Sequence, residues 1–414
     1  PKLEINENAV MWAVDGNDDR SVAFAARLLE QNIQVRIIDK ESLLSEHNLS
    51  RGSVAVIAMD NPNNNNLISQ IKKVATDLDI SVVSIESGFG DKELPDWGGR
   101  HFRLLNKPQI AILSHEGFSS YDVGVSWWSI DQNLGIRHSQ INSSLTGYAD
   151  LRRYNTIIVP SGSPDMSDYS KKMLLDWVKQ GGTLISNNRA TRSLISSGNF
   201  GNVKPLNKTF EKTKDFNIDL MREIYSAQEN IDITDVNNNE VNLNVTYPWE
   251  TTDKKYSQEQ LESRDKWQSL LMPSGAIVSA RVDDKHWLTF GTGKVLPVLY
   301  GNYPILMTGG NSEAVLRIGE LIQNNEILEN RTINWSQIPS GYDMNVRMSG
   351  LVWPEASQRI ANSAYLTREK IGKGQIILFS GEPNYRGSAR GTNRLWLNAV
   401  IYGSGLGTNS RVNP

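Results

Sequence analysis

The sequence predicts an α/β protein, because short apolar strands alternate with amphipathic helical patterns along two stretches of the chain. In the first stretch, apolar runs typical of strands fall at residues 9–14, 35–38, 54–57 and 80–85. Apolar residues at helical spacing lie between some of these runs, at 22–29 and 67–78. Strands that alternate with helices of this length are typical of βαβ units. We therefore predict a parallel sheet in an N-terminal α/β domain at residues 1–104.

The same alternation resumes near Pro108 and predicts a second α/β domain. Its buried strands fall at residues 110–113, 157–159, 183–186 and 376–379, and helical patterns lie at 173–178 and 395–400. Gly372-Lys-Gly374 precedes the last strand and is predicted to be a hairpin turn rather than a phosphate loop. We assign this domain to residues 105–200 and 346–414.

Residues 201–345 interrupt the second domain and are predicted to be an α+β insertion. Within it, Trp287–Phe290 and Val295–Tyr300 are typical of strands, and Asn237–Asn244 is a polar, turn-rich segment. The spacing of Ala314, Ile318, Leu321 and Ile322 predicts one more helix.

Composition excludes several functional classes. Among 414 residues, 43 Lys and Arg balance 46 Asp and Glu for a net charge of −3, so we expect no nucleic-acid partner. No apolar stretch reaches the roughly 18 residues of a spanning helix, so no membrane span is expected. The chain has no cysteine, which excludes disulfides, thiolate ligands and a Cys nucleophile. It opens at Pro1 without a signal peptide, and we expect an internal or processed segment.

The sequence contains several short motifs in a fixed order. The first is Pro95-Asp-Trp-Gly-Gly-Arg-His-Phe-Arg, followed by Lys107-Pro-Gln-Ile-Ala-Ile-Leu, and the last is Gly372–Gly387 running into Gly391–Ala399. Ser119–Trp127, Asp283–Gly291 and Ser349–Glu355 lie between them. Together these motifs resemble the region that follows the catalytic domain in large bacterial zinc-carboxypeptidase-like proteins, and the resemblance covers residues 52–403.

This resemblance implies a fold, a parent protein and a location. The fold would be two flavodoxin-like, class I glutamine amidotransferase-like three-layer sandwiches, with the α+β insertion in the second. The parent would be an exported zinc metallocarboxypeptidase in the periplasm or secreted. Its own peptidase domain would be the partner of this region, and Zn²⁺ would be expected only in that missing domain.

The chemistry of that family is not carried by the residues of this sequence. None of its five histidines is followed three residues later by Glu, as the zinc-peptidase motif requires. Amidotransferases need a nucleophilic Cys at a sharp strand-to-helix turn, and that turn here is Asn187-Asn-Arg-Ala190. We therefore expect a non-catalytic accessory, scaffold or ligand-binding region without a metal or cofactor of its own.

Polar residues follow the predicted strands of the second domain, where open α/β sheets usually bind ligands. These candidates are Ser114, His115, Glu116, Ser161, Ser163, Asn187, Arg189, Glu382, Asn384 and Arg386. In a functional interpretation, His115 and Glu116 are catalytic candidates for acid–base work and Arg386 holds a carboxylate. In the structural interpretation, the same side chains cap helices and tie loops together.

Two rival functions remain open at this point. One is a stand-alone hydrolase that uses His115 and Glu116. The other is a carbohydrate-binding module, suggested by eleven tryptophans. Among them, Trp127 and Trp128 either stack on a sugar or form a helix face packed on the sheet. The ligand of such a region would be a peptide or a glycan.

Overall fold

The computed structural model describes residues 5–90, 94–164, 166–197, 200–228, 256–327 and 329–409. The chain divides into two compact units. Unit 1 contains the described residues up to Ser193, Asp284–Lys294 and those from Arg368 onward, and unit 2 contains Leu194–Asp283 and Val295–Thr367. The segment Asn237–Asn244, predicted to be turn-rich, lies outside the described residues.

Unit 1 begins with a five-stranded sheet. Its elements are β1 (Met11–Val14), α1 (Ser21–Glu30), β2 (Arg36–Ile38), β3 (Ser42–Leu44), β4 (His47–Leu49), β5 (Val54–Ile57), α2 (Leu67–Leu78), β6 (Val83–Ile85) and β7 (Phe102–Leu104). The strand order is β6-β1-β5-β2-β7, and every neighbouring pair is antiparallel. The predicted parallel sheet is therefore wrong for this part of the chain.

The antiparallel order arises because two βαβ connections interleave. The connection β1–α1–β2 leaves room for β5, and β5–α2–β6 leaves room for β1, which is the split βαβ arrangement of ferredoxin-like folds. Helices α1 and α2 pack against each other, and α1 also packs on β5. Met11, Phe102 and the β3–β4 hairpin residues Leu44 and Leu49 share a separate apolar cluster. The described residues 5–90 and 94–104 thus do not form a flavodoxin-like sandwich.

A second set of elements follows in unit 1. They are β8 (Ile110–Ser114), α3 (Ser120–Trp128), β9 (Ser139–Asn142), β10 (Thr156–Val159), α4 (Asp168–Lys179), β11 (Thr183–Asn187) and α5 (Asn188–Ser196). Helix α3 begins at the N-cap Ser119 and continues into a π-helical turn at Ser129–Leu134. Gly181, with φ of 130°, lies in the turn that follows α4.

Unit 2 is built mainly of antiparallel strands. Its elements are β12 (Lys204–Pro205), α6 (Thr213–Gln228), α7 (Gln258–Ser269), β13 (Ala276–Val282), β14 (Val295–Tyr300), β15 (Leu306–Met307), β16 (Ser312–Ile318), β17 (Glu320–Gln323), β18 (Arg331–Ile333), β19 (Ser336–Ile338), β20 (Tyr342–Asn345), β21 (Arg347–Ser349) and α8 (Pro354–Ile360). Strand β13 pairs antiparallel with β14, β16 and β21.

Two predicted elements of this region are wrong. The helix expected at Ala314–Ile322 is the strand pair β16 and β17, whose residues Ala314–Ile318 are all buried. A run buried at successive positions is compatible with a strand inside a packed unit, and its four-residue spacings alone did not distinguish the two. The strand expected at Trp287–Phe290 is a single helical turn, Trp287–Thr289, and it belongs to unit 1.

The chain passes from unit 2 to unit 1 within β22 (Ala364–Ile371), which is followed by β23 (Gly374–Phe379) and α9 (Arg390–Leu406). The turn between β22 and β23 contains Gly372 with φ of +61°, so the predicted hairpin is confirmed.

Five neighbouring strands of a larger mixed sheet form the second sheet region of unit 1, in the order β23-β11-β10-β8-β9. Each of these pairs is parallel, which confirms the predicted strand direction. The order is the one found in flavodoxin-like doubly wound sheets.

Helix α9 is the most thoroughly buried helix among those described, with every residue from Thr392 to Ser404 buried. It contacts α1 and β7 on one side of the unit and β10 and β11 of the parallel sheet. The side-chain amide of Asn398 donates to the carbonyl oxygens of Leu288 and Phe290, both at 2.9 Å. These bonds hold residues 284–294 in unit 1, although the sequence placed them in the insertion.

Candidate functional site

The parallel sheet places the predicted site residues along one edge. Ser114 and Asn187 are the last residues of β8 and β11, and the other candidates lie in the segments that follow β8, β10, β11 and β23. Because the carboxyl ends of parallel strands meet at one edge, these segments are neighbours, as the sequence predicts.

The loop after β8 carries the two catalytic candidates of the sequence analysis. His115 is exposed, has φ of +76°, and shares a hydrogen bond of 2.8 Å between its Nδ1 and Ser114 Oγ. Glu116 is also exposed, and its carbonyl oxygen accepts a bond from Ser143 Oγ at 3.3 Å. Among the contacts of the described residues, no hydrogen bond joins the His115 and Glu116 side chains, so the acid–base pairing stays a prediction.

The loops after β8 and β10 are tied together through their backbones. Ser119 N donates to Ser161 O at 3.0 Å, and Ser163 N donates to Gly117 O at 2.7 Å. A Cβ built on Gly162 would lie 2.4 Å from Gly117 O, so a larger residue would push the loops apart. The backbones of Ser161 and Ser163 therefore connect the two loops, as the structural interpretation of these residues predicts.

The turn after β11 is sharp and is centred on Asn188. This residue has φ of +45°, a backbone conformation that non-glycine residues seldom adopt and that clusters at functional sites. Its side-chain Nδ2 donates to Glu382 Oε1 at 2.9 Å, which joins β11 to the loop after β23. The candidates predicted in this turn were its neighbours Asn187, which is buried, and Arg189, which is exposed; Asn188 was not among them. Its position inside the turn Asn187-Asn-Arg-Ala190, directly after the strand, was the sequence signal that could have identified Asn188.

Glu382 also interacts electrostatically with Asp122, a residue that the sequence did not identify as a candidate. Burial raises the pKa of Glu382, and the negative charge of Asp122 raises it further, against the bond from Asn188 and the charge of Arg189. Burial also raises the pKa of Asp122, and a hydrogen bond with Ser119 and the charge of Arg189 oppose it. We call Asp122 and Glu382 the carboxyl pair.

A carboxylate in the first turn of a helix normally gains from the helix dipole, which favours its charged form. Asp122 occupies that position in α3, where its backbone N donates to Ser119 Oγ at 3.4 Å. Its raised pKa shows that desolvation outweighs these effects. Asp122 and Glu382 therefore each bind a proton more readily than an exposed carboxyl group does. A protonated carboxyl group can both donate and accept hydrogen bonds.

The loop after β23 supplies the remaining candidates. Asn384 is buried, and its Nδ2 donates to Ser129 Oγ in the π-helical turn at 3.4 Å. Arg386 is exposed, has φ of +50°, and its guanidinium carbon lies 5.2 Å from the centroid of the Tyr385 ring. Asn384 therefore ties this loop to the segment that continues α3.

Trp127 and Trp128 are partly exposed, at 42% and 39%. Gly387 lies against the Trp128 ring, where an added Cβ would come within 2.9 Å of Cζ3. The pair therefore does not form a fully buried helix face.

The described residues contain neither a metal-ligand cluster nor a membrane-spanning helix. No group of three or more His, Asp and Glu residues there could hold a metal ion. The helices in those ranges include none with the length and apolarity needed to cross a bilayer.

Comparison with protein-family models finds no match, and comparison with curated proteins finds none. Solved structures give distant matches. A ThuA-like protein of Bacteroides uniformis is 10% identical with a TM-score of 0.35, covering 70% of this chain and 89% of its own. One of Parabacteroides merdae is 9% identical with a TM-score of 0.34, covering 73% and 92%. An exo-β-1,4-mannosidase of an Opitutaceae bacterium is 8% identical with a TM-score of 0.33, covering 82% and 40%. Likenesses of this degree carry no argument about function.

Proposed function

We propose that this chain is a ligand-binding accessory region, and that its ligand is a small, neutral, polyhydroxylated molecule bound at the carboxyl pair. The observation that carries the proposal is the convergence of Asp122 and Glu382 at the carboxyl edge of the parallel sheet, with Asn188 bonded to Glu382 at 2.9 Å.

The chemistry of the carboxyl pair favours hydroxyl groups over anions. Two neighbouring acidic groups repel an anionic ligand, and Arg189 is the cation that acts on both of them. When one carboxyl group of the pair carries a proton, the pair donates and accepts hydrogen bonds at once, which matches the vicinal hydroxyls of a sugar. A carbohydrate ligand therefore fits the pair better than an acidic peptide does.

The resemblance to zinc-carboxypeptidase-like proteins supplies the wider setting of the proposal. In that setting the amidotransferase-like domain has lost its nucleophile, and Asn188 stands in the strand-to-helix turn. The parent would be exported to the periplasm or secreted, and Zn²⁺ would reside in a separate peptidase domain that this region adjoins. Sequencing the coding DNA next to that for Pro1 tests this setting, since a His-x-x-Glu motif with a later His should be found.

Binding at the carboxyl pair can be tested by calorimetry with neutral disaccharides such as cellobiose, mannobiose and chitobiose. Glu382→Gln and Asp122→Asn should each raise the Kd of the disaccharide about tenfold, because each variant removes a hydrogen bond between the sugar and a carboxyl group. Asp168→Asn is the matched control, since Asp168 lies in the first turn of α4 as Asp122 does in α3. Binding that survives both site variants would refute the proposal.

A second candidate function is a hydrolase in which Glu382 donates a proton. The observation in its favour is that burial and the charge of Asp122 raise the pKa of Glu382, which is the direction that a general acid requires. Turnover of nitrophenyl glycosides and esters should then fall in Glu382→Gln and persist in Glu116→Gln. The reverse result would favour the pair His115 and Glu116.

A further inference from the structure

Unit 1 contains a cavity of about 390 Å³ apart from the carboxyl pair. It lies among α1, the end of α2, the π-helical turn after α3 and the start of α9. Its wall includes the arginines Arg20, Arg27, Arg390 and Arg394, the carboxylate of Asp19 and the aromatic ring of Trp128.

Two of the four arginines already serve the fold. Arg394, whose side chain is 2% exposed, donates to Gly16 O and Asp18 O at 2.9 Å and to Ser21 Oγ at 3.0 Å. Arg20 forms a two-pronged ion pair with Asp18, at 2.9 Å from Nε and 2.8 Å from Nη2. Both guanidinium groups add positive charge to the wall, but their donors are largely used.

The other two arginines keep donors available. Arg27 donates from Nε to Leu134 O at 3.0 Å, and its terminal nitrogens bond to no described residue. Arg390 is exposed at the start of α9, and its guanidinium group bonds to nothing in the described part of the chain. A planar guanidinium with free nitrogens matches the geometry of a carboxylate or a phosphate.

The carboxylates near the cavity pair with Arg20 and Arg394 and leave the charges of Arg27 and Arg390 uncompensated. Asp19 is the one acidic residue in the wall as described; its side chain is 70% exposed and lies 3.6 Å from Arg394. Asp18 is already paired with Arg20 at 2.8 Å. The wall therefore has an excess of positive charge around a concave space, which raises the local concentration of anions.

Apolar groups give the cavity a second character. Trp128, which is 39% exposed, lines it together with Ala23, Leu78 and Leu397. Asn393 also lines it, is 8% exposed, and its Oδ1 accepts no hydrogen bond from the described residues. A ligand with a charged head and a ring or sugar body would satisfy both kinds of wall.

We propose that this cavity binds a small organic anion, with its phosphate or carboxylate held by Arg27 and Arg390 and its ring placed against Trp128. The size of the cavity suits a molecule of one ring and one acidic group, and it is at the lower end for a typical ligand pocket. This site is independent of the carboxyl pair, which selects neutral ligands.

Calorimetry on the whole chain tests the proposal with three probes: phenyl phosphate, benzoate and inorganic phosphate. Phenyl phosphate or benzoate should bind with a Kd of about 1 mM or tighter, and the stronger of the two identifies the acidic group. Arg390→Ala should weaken the bound probe about tenfold or more, and Arg27→Lys should do the same by removing the planar fork. Trp128→Ala should remove the preference for phenyl phosphate over inorganic phosphate.

Arg137→Ala is the matched control, because Arg137 is an exposed arginine paired with Glu30 at the end of α1 and does not line the cavity. It should leave the Kd of every probe unchanged, and far-UV circular dichroism should show that each variant is folded. Absence of binding by all three probes at millimolar concentration would overturn the proposal. So would equal weakening in Arg390→Ala and Arg137→Ala, since that would indicate non-specific attraction.

Discussion

The two sheets of unit 1 come from similar sequence patterns and offer different surfaces. The sheet of β1, β2, β5, β6 and β7 is antiparallel throughout, whereas β8–β11 and β23 are parallel. In an antiparallel sheet the carboxyl ends of neighbouring strands lie at opposite edges. In a parallel sheet they meet, and the segments after β8, β11 and β23 bring Asp122, Asn188 and Glu382 into one electrostatic group. Strand direction, more than composition, therefore decides where polar side chains can cooperate.

The largest expected effect concerns the link between the two sheets. Arg394 of α9 donates to the buried carbonyl of Gly16 and the partly buried carbonyl of Asp18 beyond β1, so Arg394→Ala would leave both without this donor. We expect the free energy of unfolding to fall by about 3–5 kcal/mol in urea denaturation. Arg390→Ala, on the exposed start of the same helix, should change it by less than about 0.5 kcal/mol. Equal effects of the two variants would show that the link is not stabilising.

A second test asks whether the two sheets unfold together. Ile37 of β2 and Ile158 of β10 are both 0% exposed, so replacing either with Ala should cost about 3 kcal/mol. Because both lie in one compact unit, each variant should lower the midpoint of the same transition. Tryptophan fluorescence and far-UV circular dichroism measure it. Two transitions, each sensitive to one variant, would separate the sheets into independent folding units.

A smaller effect should appear at the strand-to-helix turn. Asn188→Val places a β-branched residue at φ of +45° and should destabilise by about 1–3 kcal/mol. Asn188→Gly tolerates that backbone and should cost less. Both variants remove the hydrogen bond that lowers the pKa of Glu382, so that pKa should rise in each, as carbon-detected NMR titration can measure. A fall in that pKa would contradict the assigned contact.

The smallest effect is a pH dependence carried by the carboxyl pair. The folded-state pKa of Glu382 lies above its ordinary value of 4.5, so the folded state binds the extra proton and stability falls as pH rises through that window. Glu382→Gln abolishes this dependence. Its stability relative to the wild type should therefore improve from about pH 4 toward pH 7, as urea midpoints can show. A relative stability that worsens over this range would reverse the sign of the assigned shift.

The sequence predicted most strands of both sheets, but the parallel direction that it predicted for the N-terminal sheet was wrong. Buried runs such as 110–113 and 183–186 identify strands because they are continuous, apolar and bounded by turns. Apolar periodicity does not encode strand direction, so the split βαβ pairing of residues 11–104 could not be distinguished from a consecutive one. In unit 2, the helix-like spacing of Ala314, Ile318, Leu321 and Ile322 led to a helix prediction, although Ala314–Ile318 form a strand that is buried at every position.

One member of the carboxyl pair could be predicted from the sequence and the other could not. Glu382 was found from its place after a strand. Asp122 was missed because Ser119-x-x-Asp122 is typical of an ordinary helix cap. Its relation to a residue 260 positions away depends on which helix crosses the sheet edge, and no local pattern specifies that.

The burial of α9 bears on how the chain folds during synthesis. A ribosome reaches Thr392–Ser404 only after every strand of both sheets in unit 1 has been made. Until then the faces of α1, β10 and β11 that α9 covers have no cover from that helix. Nascent chains that lack α9 should therefore expose apolar surface, and they should be substrates for chaperones that hold unfinished proteins.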